Sequence, residues 1–317
     1  MPALRGRELA AFILFSALWS GNWLVIRIGL ADLPPFLFAG LRLALASALL
    51  AAVVLGRQRG PVSGREARFI ALVGFLQIGV SYACVFTAEQ WIESGLAALL
   101  FATFALWVGI FAHAALPDEP LTRRAVGAAL LGMAGVAVIQ GPAIGRALAG
   151  RPGPVAAGGA LMLVSSLVSA WSVVLIKKHL ARVAALTSVL GQSVVAGVVL
   201  LSAAALFERS ASPRFTPVAL GAVLYLGVIG TLTFVGTQWL VPRVPAAVVG
   251  SFPFLNTLLA LVWGSLLGGE RLTGRVAAGG ALILAGVALV AFGPGAAFAK
   301  GGREPSKREP SPHAGPS

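Results

Sequence analysis

The chain has 317 residues, of which 58% are hydrophobic and 11% charged, and its net charge is +13. A soluble domain carries roughly 25% charged residues, so a water-soluble globule of this length could not hide so much apolar surface. Its Lys and Arg lie between apolar runs and form no basic face, which argues against nucleic acid as a partner. The single cysteine, Cys84, rules out an internal disulfide and a cysteine metal site.

A bilayer core needs roughly 20 apolar residues per helix. In chain order the apolar runs are Leu9–Ile28, Phe36–Leu55, Phe69–Ala88, Leu96–Leu116, Arg124–Gly141, Val155–Ile176, Ala185–Phe207, Val218–Gln238, Ala246–Leu267 and Val276–Phe292. Pro34-Pro35, Pro61, Pro117 with Pro120, Pro152 with Pro154, Pro213 with Pro217, and Pro242 with Pro245 punctuate them. The fold class expected is therefore an all-α integral membrane protein of ten transmembrane helices. Residues 1–8 are an N-terminal segment. Residues 9–144 and 154–294 form two halves. Residues 295–317, rich in Pro, Ser and charge, are a disordered tail. The first run is too long, and too rich in Trp, for a cleaved signal peptide.

Positive residues collect on the cytoplasmic side of a membrane. With the N-terminus inside, sixteen of the 24 Lys and Arg residues fall in cytoplasmic segments and seven in external ones. That bias predicts that both termini are cytoplasmic, which requires an even number of spans.

The chain resembles itself at an offset of 151 residues: ten of 22 positions in Leu116–Ala137 are identical to Leu267–Ala288. The shared pattern is Glu-x-Leu-Thr-x-Arg, followed by an apolar helix ending Ala-Gly-Val-Ala. Its marked residues are Glu119 and Thr122 in the first copy, Glu270 and Thr273 in the second. Ser16 and Ser20 match Ser165 and Ser169 more weakly, at an offset of 149. Five spans per copy is an odd number, so the copies enter the membrane from opposite sides. Inverted repeats of this kind build secondary transporters, with a site between the halves. Glu119 and Glu270 are expected to be turn and interface residues, with Thr122 and Thr273 capping the helices that follow.

Polar groups at mid-membrane are costly and mark pathways. Trp19, Asn22 and Trp23 share a helical face with Ser16 and are expected to line a cavity. Gln77, with Ser81 one turn on and Tyr82 beside it, is a second group. Asn256 near Pro253 is a third, because a proline frees a backbone carbonyl. Trp107 is a weaker candidate, more core than site. Arg42 is the strong charge within a span, and it is expected to snorkel outward or to pair with Glu89 or Glu93, ahead of a third reading in which it holds an anionic group of a substrate. No carboxylate falls at mid-membrane, which favours facilitated diffusion or exchange over proton antiport. His113-x4-Asp118 has a spacing that some acyltransferases use, but Gly264 and Gly269 occupy the matching positions of the second copy, so it reads as accidental. No zinc, nucleophile-elbow or phosphate-loop motif is present.

Several elements together resemble the EamA type of the drug/metabolite transporter superfamily, over roughly residues 8–294. They are Ala17-Leu18-Trp19-Ser20-Gly21-Asn22, Pro34-Pro35 with Phe38-Ala39-Gly40-Leu41-Arg42, Glu93 to Leu100, and the turn repeated at Glu270 to Thr273. The resemblance implies two inverted five-helix repeats around a central cavity, and export of small metabolites, amino acids or drug-like compounds. It implies a multi-pass inner-membrane protein that needs no cofactor, whose partners are a small-molecule substrate and the lipid bilayer. A homo-oligomer is compatible with it but not required. Many members carry a proline in span four near Ala105. This chain has alanine there, so one helix break fewer is expected.

Overall fold

The computed structural model describes residues 6–56, 62–149, 152–259 and 273–291. Within them every regular element is helical. Among the described residues nine helices are long and apolar enough to cross a membrane, and a shorter apolar helix, Ala246–Leu259, lies where the ninth span is expected. The C-terminal tail, Glu270 and the second half of span nine fall outside the described residues.

Span one is α1 (Gly6–Ser20) and α2 (Asn22–Leu30), separated by a turn at Gly21. Tyr225 packs over this joint, and a Cβ at Gly21 would lie 2.7 Å from the Tyr225 hydroxyl. Span two is α3 (Pro35–Leu55), entered through two prolines that suit a first helical turn. Span three starts with α4 (Gly64–Val73), which Ser63 and Glu66 hold in a reciprocal capping box. It passes through a π-helical stretch, Gly74–Val80, and continues as α5 (Ser81–Ala88). Such π segments are rare and often sit at functional sites. Span four comprises α6 (Ser94–Phe101) and α7 (Phe104–Ala115), and span five is α8 (Arg123–Ala149). Helix α8 runs past Gly141, where the sequence suggested an end. Pro142 lies inside it, as tolerated where one hydrogen bond is lost and the helix bends.

Span six is α9 (Pro152–Leu175) with a closing π turn, Ile176–Leu180. Spans seven and eight are α10 (Ala185–Phe207) and α11 (Pro217–Leu240), the latter extended by a 3-10 turn at Val241–Arg243. Span nine begins with α12 (Ala246–Gly250), turns at Ser251 and resumes as α13 (252–259). Span ten is α14 (Gly274–Ala291). Thr122 Oγ1 accepts the Ala125 N–H at 3.1 Å, and Thr273 Oγ1 accepts that of Val276 at 3.4 Å, so equivalent threonines cap α8 and α14.

The expectation of one break fewer in span four is corrected by the structure. The chain bends between Phe101 and Phe104 without a proline. Thr103 Oγ1 donates to the Leu100 carbonyl at 2.7 Å, and Ser251 Oγ donates to the Val248 carbonyl at 2.7 Å. The two bonds are equivalent at an offset of 148 residues. A hydroxyl bonded to a carbonyl of the preceding turn thus accompanies both breaks, and bonding of this kind bends helices. The break is therefore symmetric although its proline is not.

Spans five and ten meet backbone to backbone. A Cβ at Gly135 would lie 2.6 Å from the Gly279 carbonyl oxygen, and one at Gly286 would lie 2.7 Å from that of Ala128. The 151-residue offset converts one contact into the other, so the pseudo-twofold relation between the halves passes between these helices. Small residues let apolar helices approach this closely where lipid supplies no hydrophobic drive.

Candidate functional site

The broken and π-helical segments of both halves converge on one cavity of about 120 Å³, partly open to its surroundings. The first half contributes Trp19, Asn22, Arg42, Gln77, Tyr82 and Phe104, among others, and the second half Ser169, Phe234, Gln238, Phe252, Pro253 and Asn256. Three of the polar residues sit at irregularities. Asn22 follows the Gly21 turn, and Gln77 lies within the π segment. That segment packs so closely on span seven that a Cβ at Gly74 would fall 2.7 Å from Gln192 Cα. Pro253 and Asn256 lie one turn beyond the Ser251 break.

Five of the seven cavity candidates from the sequence, Trp19, Asn22, Gln77, Tyr82 and Asn256, lie in the cavity wall. Trp107 does not. It packs against the hydrophobic cluster around Phe104 and Val108, with Phe111 at a ring distance of 6.1 Å. The buried apolar residues of that cluster hold its ring outside the cavity lining. The Trp23 side chain lies outside the described part of the structure. Ser16 is fully buried beside the cavity. In the amide orientation that satisfies its neighbours, Asn256 Nδ2 donates to the Ser16 carbonyl at 3.0 Å and to that of Phe252 at 3.2 Å. It thereby ties span nine to span one. Trp19 and Phe234, one from each half, pack with ring centroids 5.6 Å apart.

Arg42 does not snorkel, being 4% exposed. Its Nη2 donates to Tyr82 Oη at 3.3 Å, and its guanidinium lies 4.7 Å from the centroid of the Tyr82 ring. Among the described residues no ion pair joins Arg42 to Glu89 or Glu93, and both glutamates engage other groups. The expected charge pair is replaced by a cation–π contact with one hydrogen bond because α5 presents Tyr82, not a carboxylate, to α3.

A hydroxyl network escaped the sequence reading. Ser81 Oγ lies 2.7 Å from Ser165 Oγ and accepts from Ser169 Oγ at 3.0 Å, and Thr103 Oγ1 lies 2.9 Å from Ser166 Oγ. It joins spans three, four and six beside the cavity. The weak match of Ser16 and Ser20 to Ser165 and Ser169 was a signal, but it did not say which helices would meet.

The halves also touch at both ends of the bundle. At one end Glu119 Oε1 pairs with Lys177 Nζ at 2.8 Å, and Glu119 Oε2 accepts the Ala246 N–H at 2.6 Å. Lys177 further donates to the carbonyls of Val241 at 3.0 Å and Val244 at 2.5 Å. Glu119 is thus a turn residue that caps α12 across the repeat boundary. At the other end Asp32 pairs with Arg214 at 2.5 Å and accepts from Thr216 Oγ1 at 2.6 Å. There Glu208 accepts the N–H groups of Phe36 and Leu37 at 2.7 and 2.9 Å.

The model of the EamA-like transporter family matches this chain twice, over residues 7–140 and 156–292. The chain belongs to that family. It is similar to the uncharacterized inner membrane transporter YedA of Escherichia coli K12, with 30% identity over 83% of each chain. The uncharacterized transporter YvbV of Bacillus subtilis is 30% identical over 92% of each chain. A protein of Salmonella typhimurium named as a probable amino-acid metabolite efflux pump is 28% identical over 89% of this chain and 93% of its own. A crystal structure sharing 22% identity superposes with a TM-score of 0.73, over 90% of this chain and 98% of that one. It shares the fold. The chain is accordingly a multi-pass membrane transporter of the EamA-like family.

Proposed function

We propose that this transporter exports small organic solutes across the inner membrane by alternating access between its two repeats. The observation that carries the reading is the cavity itself, walled by equivalent broken helices of both halves, with inter-repeat polar contacts at both ends of the bundle. In this scheme the Glu119–Lys177 contacts hold one end closed and the Asp32–Arg214 contacts the other, and the solute crosses as one set yields while the other forms. The export direction is supported by the relative named as an efflux pump. With no carboxylate among the described residues of the cavity wall, the movement is read as facilitated or by exchange. His113 and Asp118 are both exposed at an end of the bundle, away from the cavity, which leaves the acyltransferase reading without a site.

The test compares small molecules in spent medium from cells overexpressing the intact chain or the Asn256→Leu, Trp19→Ala variant, at matched membrane levels. Accumulation of one solute class outside with the intact chain alone supports export. Matching media across amino acids, nucleosides and added toxic analogues overturn it.

A further inference from the structure

Resting on the transporter reading, we propose that Arg42 is the anchor for a carboxylate on the transported solute. A guanidinium stays charged at any physiological pH. Here it is 4% exposed in the wall of the cavity between the halves, and among the described residues that wall contains no Asp or Glu. Among the described residues no ion pair reaches it. Tyr82 takes one N–H and covers one face, and Arg42 Nε has no acceptor. A desolvated cation without a countercharge is costly in lipid and in protein alike. A solute bearing an anion supplies the missing charge, and a carboxylate matches the planar fork of a guanidinium with two parallel hydrogen bonds.

Span eight makes room for this group: a Cβ at Gly230 would lie 2.9 Å from Arg42 Nη2. The rest of the wall indicates what the carboxylate is attached to. Trp19, Phe86, Phe234 and Phe252 offer aromatic surface to an apolar body. Asn22 Oδ1 and Gln77 Oε1, both lacking donors, would accept from an amino group on the same molecule. The ligand class is therefore a carboxylate with an apolar or aromatic body, and an ammonium beside the carboxylate adds to the fit. Tyr82 is a positioning residue that holds the guanidinium plane toward the cavity.

The experiment is equilibrium binding to the purified full chain in detergent. The probes are phenylalanine, phenylacetate, phenylalaninamide and phenethylamine, each read by the shift in thermal unfolding. Phenylalanine and phenylacetate are expected to bind about tenfold or more tightly than their uncharged or cationic counterparts. Arg42→Gln is expected to abolish that preference and Arg42→Lys to keep part of it. Tyr82→Phe should weaken the two carboxylates more than it weakens phenylalaninamide. Should Arg42→Gln fail to reach the membrane, the native chain's ranking of probes and the Tyr82→Phe response decide. Equal binding of phenylalanine and phenylalaninamide, a carboxylate preference that survives Arg42→Gln, or no binding of either carboxylate overturns the anchor. A chain that exports solutes in the spent-medium assay yet ranks the probes without regard to the carboxylate loses this proposal alone.

Discussion

Replacing Glu119 by glutamine tests the inter-repeat contact at its most demanding point. Lys177 and Glu119 have side chains 6% and 12% exposed, so their pairing at 2.8 Å is screened little by solvent. The glutamine oxygen can still accept the Ala246 N–H, so the helix cap survives and only the countercharge is removed. Lys177 keeps its bonds to Val241 and Val244, but its charge is left buried without compensation. Breaking a buried pair from one side costs on the order of 3–5 kcal/mol, and the retained carbonyl bonds put this case near the lower figure, about 3 kcal/mol. For a chain of this size that is a fall in Tm of roughly 5–10 °C, read by thermal unfolding of the purified protein in detergent. Adding Lys177→Met should restore most of the loss, because the uncompensated charge leaves with the lysine. A Tm for Glu119→Gln equal to that of the native chain, or a double variant as unstable as the sum of both changes, would refute the reasoning.

Three other outcomes follow from the packing. Thr103→Val removes the hydroxyl bonds to the Leu100 carbonyl, which keeps the Thr103 N–H, and to the Ser166 hydroxyl, and should lower stability by about 1–2 kcal/mol; a native Tm would show that the hydroxyl does not hold the break. Gly74→Ala places a methyl 2.7 Å from Gln192 Cα and 2.8 Å from its carbonyl oxygen, where only backbone could yield. This variant should be lost from the membrane fraction on immunoblotting, whereas Gly221→Ala, with open space around it, should accumulate normally. Reporter fusions after Gly60 and Lys178 should read cytoplasmic and one after Arg151 external; the reverse pattern would turn the whole assignment of sides over.

Much of the fold was legible because lipid imposes a coarse, repeated demand. Each span must be long and apolar, and the turns carry proline and charge, so most of the described span ends lie within a few residues of those expected, α8 running on to Ala149 being the largest departure. The repeat was legible through Glu-x-Leu-Thr-x-Arg, a string that apolar composition does not generate. Local irregularity was less so. The break at Thr103 depends on one hydroxyl reaching back to Leu100, and the π segment that carries Gln77 depends on span seven lying against Gly74. Neither has a signature in the run of residues itself. The site was half visible: mid-depth Trp19, Asn22, Gln77 and Asn256 announce themselves by polarity or size. Arg42 announced its charge but not its partner, since Tyr82 is 40 residues away and a tyrosine is as often core as not. Trp107 has the same depth and chemistry as Trp19 and faces the other way. Which face a helix turns inward is settled by neighbours, not by its own periodicity, when every face is apolar.

The glycine seam between spans five and ten has a mechanical consequence. Side chains that interlock can trade rotamers and slide, but Gly135 against Gly279 and Gly286 against Ala128 meet through main chain with nothing to exchange. Two such points, related to each other by the repeat, fix both the separation and the rotation of the pair. The pair then works as a common spine. Any rocking of the halves would be taken up by the other spans, and the bends at Gly21, Thr103 and Ser251 put the compliance there, beside the cavity.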